Sequence, residues 1–373
     1  MKKIYAVAFL CVLSMSFWLF LPPRSAEAQV SDTGDFLRAL QEDTIDDVGL
    51  LLEAYTRPYA EGLGAVSNTG WVRTAGTHSV LGFDLSLSLG IAAVPGSKNE
   101  FDINDLGLTN IQASGPESVS PTISGRRGTA VGVDVFADVP DVGRQEITSF
   151  ALPSGTDFAY APAPMIQLSV GVPKNTDIML RYVPEVSIGR YGDFSIFGLG
   201  IKHELNQWIP GYLPVDISFM AGYTDIDLTG SFTLSASDID YDEDPNNLDR
   251  ASVWEGQRAN MNSRAWNANL LAGRTLGPLG AYIGLGIQSS SFELDFDGRY
   301  PFLELETRVE DGQAEAVRVL SSIEDPVQLE IDSGTIFRGV VGGRLRLGFV
   351  QFNLDFTYAE YVVLNAGVGF TFR

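Results

Sequence analysis

The sequence predicts an all-β fold, a transmembrane antiparallel β-barrel of 10 to 14 strands with a short helical N-terminal segment that plugs it or sits on its periplasmic side. Three observations predict this. Short runs along the chain alternate apolar with small or polar residues, the period of a strand with one greasy face. Beyond residue 28 no run of 18 apolar residues remains, so helices cannot cross a bilayer and strands must do so. With 39 glycines and 11% aromatics, the composition is that of a Gly-rich β protein.

The first 28 residues read as a signal peptide. Lys2 and Lys3 precede an apolar run from Ile4 to Leu21, and Ala26-Glu27-Ala28 supplies the small-x-small site before Gln29. The only cysteine, Cys11, lies in that run, so the exported chain has no disulfide or thiolate chemistry. Removal of Lys2, Lys3, Arg24 and Glu27 changes the charge balance from 25 against 47 to 22 against 46, a net −24. Such a chain has no basic patch for nucleic acid, and its surface suits divalent cations. The remainder divides into a helical and Gly-rich plug segment, 29–76, and a barrel, 77–373.

Within 32–55 the period is helical. Asp32 with Asp35 opens a helix carrying Phe36, Leu37 and Leu40, and Thr44 with Asp47 resembles a capping box ahead of Val48, Leu51, Leu52 and Tyr55. Pro58 is expected to end it. The glycines of the segment from Tyr59 to Trp71 suggest backbone packed closely on the inner barrel wall.

Leu81 to Ala93 is the clearest strand, with Leu81, Phe83, Leu85, Leu87, Leu89 and Ile91 opposite a polar and glycine face. Further strands start near 163, 177, 194, 214, 264, 280, 335, 351 and 361, ten crossings in all with the one near 80. Tight turns are expected at Pro173-Lys174-Asn175, at Gly189 to Asp193, at Gly277-Pro278-Leu279-Gly280 and near Gly348, and Trp208 is placed for headgroup depth. Three long outer loops remain, 95–160, 235–262 and 297–333, and hairpins in two of them could raise the count to 12 or 14. Both the exported N-terminus and the last residue are expected to face the periplasm, which makes the number of crossings even. Asp238 to Arg250 is acidic and expected to be solvated rather than packed. Glu243 stands where a calcium loop demands Gly, against an EF-hand.

The closing strand places Val362, Leu364, Ala366, Val368, Phe370 and Phe372 on one greasy face. Its Asn365, Gly367, Phe370 and Phe372 resemble the C-terminal assembly signal of bacterial outer-membrane barrels, with Arg373 as a departure; the resemblance implies the barrel assembly machinery and outer-membrane lipid as partners and the Gram-negative outer membrane as location. The layout of a helical piece, the segment Gly62-Leu-Gly-Ala65…Asn68 and a first strand resembles the FadL-like superfamily of long-chain fatty acid transporters. That loose resemblance implies passive uptake of hydrophobic molecules. Gly198 to Leu205, Gln207 to Gly211 and the ending from Glu360 to Arg373 resemble a family of uncharacterised Gram-negative outer-membrane proteins, which implies no activity.

No enzyme or cofactor is expected. The two histidines, His78 and His203, lack a usable nucleophile: Ser195 shares a facing with His203 but stands eight residues away on the same strand. No zinc cluster, phosphate-binding loop or dinucleotide fingerprint occurs. What remains is lumen chemistry. Arg338, Arg344 and Arg346 alternate inward with Asn353 and Asp355 expected across the turn, and Arg181 and Asp216 also point inward. Such a set either fixes the charge of a constriction or pairs up to fill a narrow barrel. Two functions stay open: a plugged transport barrel for small molecules, hydrophobic ones among them, and a non-transporting barrel whose acidic loops meet cations, lipopolysaccharide or partner proteins.

Overall fold

The computed structural model describes residues 36–37, 41 and 43–372, apart from 129, 140, 188–191, 232 and 311–312. The signal peptide, the helix start at Asp32 and Asp35, the turn at Gly189 and the final Arg373 lie outside the described residues.

Ten strands close into a meander: β1 (Phe83–Ala93), β2 (Tyr160–Val172), β3 (Thr176–Ser187), β4 (Asp193–Glu204), β5 (Asp216–Ser231), β6 (Arg258–Leu276), β7 (Leu279–Asp297), β8 (Ile336–Leu347), β9 (Val350–Tyr358) and β10 (Val362–Phe372). Each strand pairs antiparallel with its neighbour in sequence, and β10 closes on β1 from Phe83↔Phe372 to Ala93↔Val362, so no edge is left open. Among the described residues no helix is long and apolar enough to cross a membrane.

Alternation fixes which side chains face out. Phe352, Leu354 and Phe356 on β9 are exposed while Gln351, Asn353, Asp355 and Thr357 are buried, and the other strands repeat the pattern. The apolar belt has aromatic borders. Tyr223 and Trp266 pair across β5 and β6 at one level, and Phe83 stacks on Phe372 at the other. Beyond Tyr223 and Trp266 the outward positions become Asp225, Asp227, Arg264 and Asn262, so both strands leave the apolar zone before they end.

Turn chemistry agrees with the sequence at one end of the barrel. Lys174 and Asn175 both take positive φ, 66° and 47°, the conformation of a two-residue hairpin turn. Gly277 and Gly348 supply positive φ at the β6–β7 and β8–β9 turns. Leu81, expected inside the first strand, instead sits in the approach turn with φ 64° and is largely exposed.

The opposite end, the one the sequence expects to be the outer one, carries a cap. Its two hairpins, 132–151 and 299–324, form small sheets of their own and do not widen the barrel beyond ten strands. The acidic stretch 238–250, expected to stay solvated, packs. Arg318 grips Asp242 through two nitrogens at 3.0 and 3.1 Å, Glu243 pairs with Arg308, and Trp254 is fully buried beside Leu248. The sequence could not show these partners because they lie some 70 residues away. β6 accordingly starts at Arg258 and not near 264.

The N-terminal segment departs from expectation in three ways. Helix α1 (Ile45–Ser67) runs through Pro58 and absorbs most of the Gly-rich stretch. An interior proline costs about 3 kcal/mol, while a buried leucine or valine returns roughly 1.5–3 kcal/mol. Burial on both sides of Pro58 outweighs it: Val48, Leu51, Leu52 and Tyr55 enter the cap core, and Ala65 and Val66 pack in the lumen. Second, no capping box forms. The Thr44 hydroxyl pairs with Gln41, and the Asp47 carboxylate instead accepts the amides of Thr109, Asn110 and Ile111 at 2.6–3.0 Å. Third, the described start of the segment lies at the outer end. Phe36 and Leu37 are buried in the cap core and Gln41 bridges Leu303, so the segment descends the lumen and leaves at His78, beside the short turns. Evenness of crossings survives, because it concerns only the barrel's own two ends.

Candidate functional site: the plugged lumen

The lumen is occupied by the lower half of α1 and by the irregular stretch from Asn68 to His78. Wall side chains hold this stretch mainly by its backbone. Arg181 of β3 donates to the carbonyls of Ser67 (2.8 Å) and Thr69, and Arg338 of β8 donates to that of Asn68 (2.6 Å). These carbonyls end α1, where the helix dipole is negative, so guanidinium donors both satisfy and neutralise the terminus. Lower down, Lys202 donates to the carbonyls of Thr74 (3.1 Å) and Gly76 (2.7 Å), and the Tyr282 hydroxyl donates to that of Val72 (3.1 Å).

Trp71 is the side chain around which the wall is hollowed. The Arg181 guanidinium lies 3.7 Å from its ring centroid, a cation–π contact. Against the ring also stand Gly200 of β4 and Gly222 of β5. A Cβ at these positions would come within 2.8 Å and 2.6 Å of the ring. Only glycine leaves room there for the indole. Beside it a cavity of about 20 Å³, bounded by Asn68, Met220, Asn269, Tyr282, Arg338 and Asp355 among others, has the size of a single water.

A second cluster fastens the exit. His78 Nδ1 lies 3.1 Å from Asp177 Oδ2, its backbone amide donates to Asp177 Oδ1 at 2.9 Å, and Nε2 lies 3.2 Å from Asp84 Oδ2, in charge contact but off hydrogen-bond geometry. Lys202 Nζ stands 3.0 Å from Asp177 Oδ2. Burial pulls the His78 imidazole down, but the two carboxylates outweigh it and its pKa rises above the ordinary 6.5. A raised folded value means that its stabilisation is complete below about pH 6.5 and is lost as pH rises through the folded value. Thermal unfolding in detergent is therefore expected to show a midpoint that falls as pH rises above about 6.5 in the wild type. In His78→Asn the midpoint is lower at acid pH and flat over the same rise.

The structure distributes the sequence-predicted lumen residues over different tasks. Arg181 and Arg338 are buried and hold the plug. Asp216 faces Gly76, where an added Cβ would come within 3.0 Å of its carboxylate. Arg344 is paired in register with Asn353 as expected, but Arg346 stands opposite Gln351 and turns its Nε to the Gly348 carbonyl at 2.9 Å. Asp355 was expected to serve the arginines across the turn. It lies opposite Gly342 and accepts the Gly70 amide, because the plug comes closer to it than the turn partners do. Of the closing-strand residues, Asn365 faces the lumen against Gly70, Gly367 packs on Asn353, and Phe370 and Phe372 face outward with Phe349 stacked on both. His203 faces the lower rim and accepts a hydrogen bond from Trp208 Nε1 at 3.0 Å. Trp71, Lys202, His78 and Asp177 were not singled out as site residues. For Trp71 a signal existed, in the inward-facing glycines at 198, 200 and 222.

A family profile matches residues 1–372 and carries the description "Family of unknown function (DUF6588)". No curated protein matches the chain. Solved structures that resemble it include the translocator domain of the autotransporter NalP from Neisseria meningitidis (9% identity, 86% of this chain and 96% of that one, TM-score 0.28). Others are the attachment invasion locus protein Ail of Yersinia pestis (9%, 78% and 99%, TM-score 0.24) and the Pseudomonas putida toluene transporter TodX (9%, 85% and 97%, TM-score 0.22). At these scores the likenesses carry no weight for function.

Proposed function

The chain belongs to the DUF6588 family, and from its own geometry we propose an outer-membrane barrel that passes small molecules through a lumen gated by the stretch from Asn68 to His78. The carrying observation is how that stretch is held. Arg181, Arg338 and Lys202 bind its carbonyl oxygens at Thr69, Asn68, Thr74 and Gly76, contacts that water can replace once the stretch moves, and a single indole keys it into a glycine hollow. The upper half of α1 is fixed differently, in an apolar core shared with the cap, so motion is confined to the lower stretch. The exported chain meets outer-membrane lipid through its apolar belt. Asn365, Gly367, Phe370 and Phe372 present the closing strand to the assembly machinery, and no reaction is assigned to any residue.

One observation favours a second reading, a non-transporting barrel that displays its cap to cations, lipopolysaccharide or other proteins. The cap core joins Leu51, Leu52 and Tyr55 of α1 to Ile111, Val133 and Tyr300, and so seals the outer end. Single-channel conductance of the purified protein, with and without residues 29–71, separates the two. A conductance that rises on deletion supports the gate; two equally silent proteins support the display barrel.

A further inference from the structure

Gln351 and Asn353 of β9, Asn365 and Thr371 of β10, and Ser88 of β1 are all buried, yet among the described residues none of their side-chain polar atoms has a hydrogen-bond partner. They are not scattered. Gln351 shares a rung with Gly369, Asn353 with Gly367 and Ser88, and Asn365 with Asp355 and Gly90, so they climb one side of the lumen from the short-turn end to mid-height. On the facing wall the larger polar side chains Arg181, Lys202, Thr224 and Asn267 are hydrogen-bonded to the plug, and of the hydroxyls there Ser218 and Ser263 lack partners among the described residues. Leaving a buried amide unpaired costs about 1–3 kcal/mol, and here Gly367 and Gly369 let the amides pack flat without gaining partners.

We propose that this face is a binding track for small neutral solutes rich in hydroxyl or amide groups, uncovered when the stretch from Gly70 to Ala75 moves off it. The proposal rests on the gated-lumen reading. Each amide presents a donor and an acceptor, which a polyol satisfies and a hydrocarbon cannot. Of the charges on the track's own strands, Asp84 lies near Arg344 and Asp355 near Arg338. Arg73, a further cation beside Asp355, belongs to the stretch that moves off and Arg181 stands on the facing wall, so the uncovered track keeps charges of both signs. The solute class therefore differs from the hydrophobic molecules that the FadL-like layout implied.

The test uses full-length protein in liposomes with a four-carbon polyol as probe, in a Gly222→Leu background that dislodges Trp71. Polyol-driven swelling, divided by ion conductance of the same preparation, is expected to fall roughly tenfold when Asn353→Leu and Asn365→Leu are added, about the equivalent of one to two lost hydrogen bonds. An unchanged ratio in a conducting protein overturns the track and leaves the gate standing. A silent, folded Gly222→Leu protein removes the gate, and the track with it. A second measurement needs no opening. In the otherwise native chain the two leucines should raise the thermal midpoint, because they remove unpaired groups; a lowered midpoint in folded protein means that the amides are already paired and overturns the proposal.

Discussion

Replacement of Arg181 by methionine is expected to destabilise the folded barrel by about 2–4 kcal/mol, read as a lower urea midpoint in detergent or lipid. Methionine keeps the bulk and removes the donors to Ser67, Thr69, Gln167 and Thr224, together with the ring contact to Trp71. One effect opposes this. Arg181 lies near Arg73 and Arg338 with Asp355 as the carboxylate among them, so its loss also relieves like-charge repulsion. The carbonyl contacts win because, while the plug is seated, wall and plug leave room for about one water, so a helix terminus stripped of its donors keeps most of its desolvation cost. Arg181→Lys is expected to recover little, since an ammonium cannot bridge two carbonyls and stack on an indole at once. A variant with an unchanged midpoint would mean that the guanidinium contributes nothing to holding the plug.

Gly222→Leu is expected to have the largest effect on conductance. Every atom within 3.0 Å of the added Cβ belongs to the Trp71 ring, so the indole must leave its hollow. Overpacking of this kind costs about 1–3 kcal/mol, and the barrel can relieve it by giving up the plug contact without giving up the wall. Bilayers holding the variant should show discrete openings that the native chain lacks. Trp71→Ala should open the same path without the steric push, and agreement between the two assigns the openings to the indole rather than to wall damage. Openings in neither variant would exclude Trp71 as the key.

The barrel was legible because each strand solves the same local problem, an oily face outward and a polar or small one inward, and writes that solution every second residue. The turns at Lys174–Asn175, Gly277 and Gly348 were legible for the same reason: a positive φ restricts the residue type on the spot. What failed depends on distance. Pro58 looked like a stop because the burial that carries α1 past it comes from the cap and the β9–β10 junction, where the Tyr361 hydroxyl lies 3.0 Å from the Pro58 carbonyl. Asp47 looked like a cap partner because the amides of Thr109 to Ile111 that claim it are about 60 residues away. The inward facing of Arg181 and Arg338 followed from parity, but their ligands are backbone carbonyls, which every residue has and which leave no mark in a sequence.

The length of β6 and β7 has one more effect. Each runs 19 residues, of which about 10 cross the hydrocarbon, so some nine continue outward. At about 3.3 Å per residue and a tilt near 45°, they lift the acidic crown roughly 20 Å clear of the lipid, more than two screening lengths in physiological salt. Carboxylates on the crown thus scarcely sense charges at the border of the apolar belt, and whatever approaches that end of the barrel meets the crown's own field first.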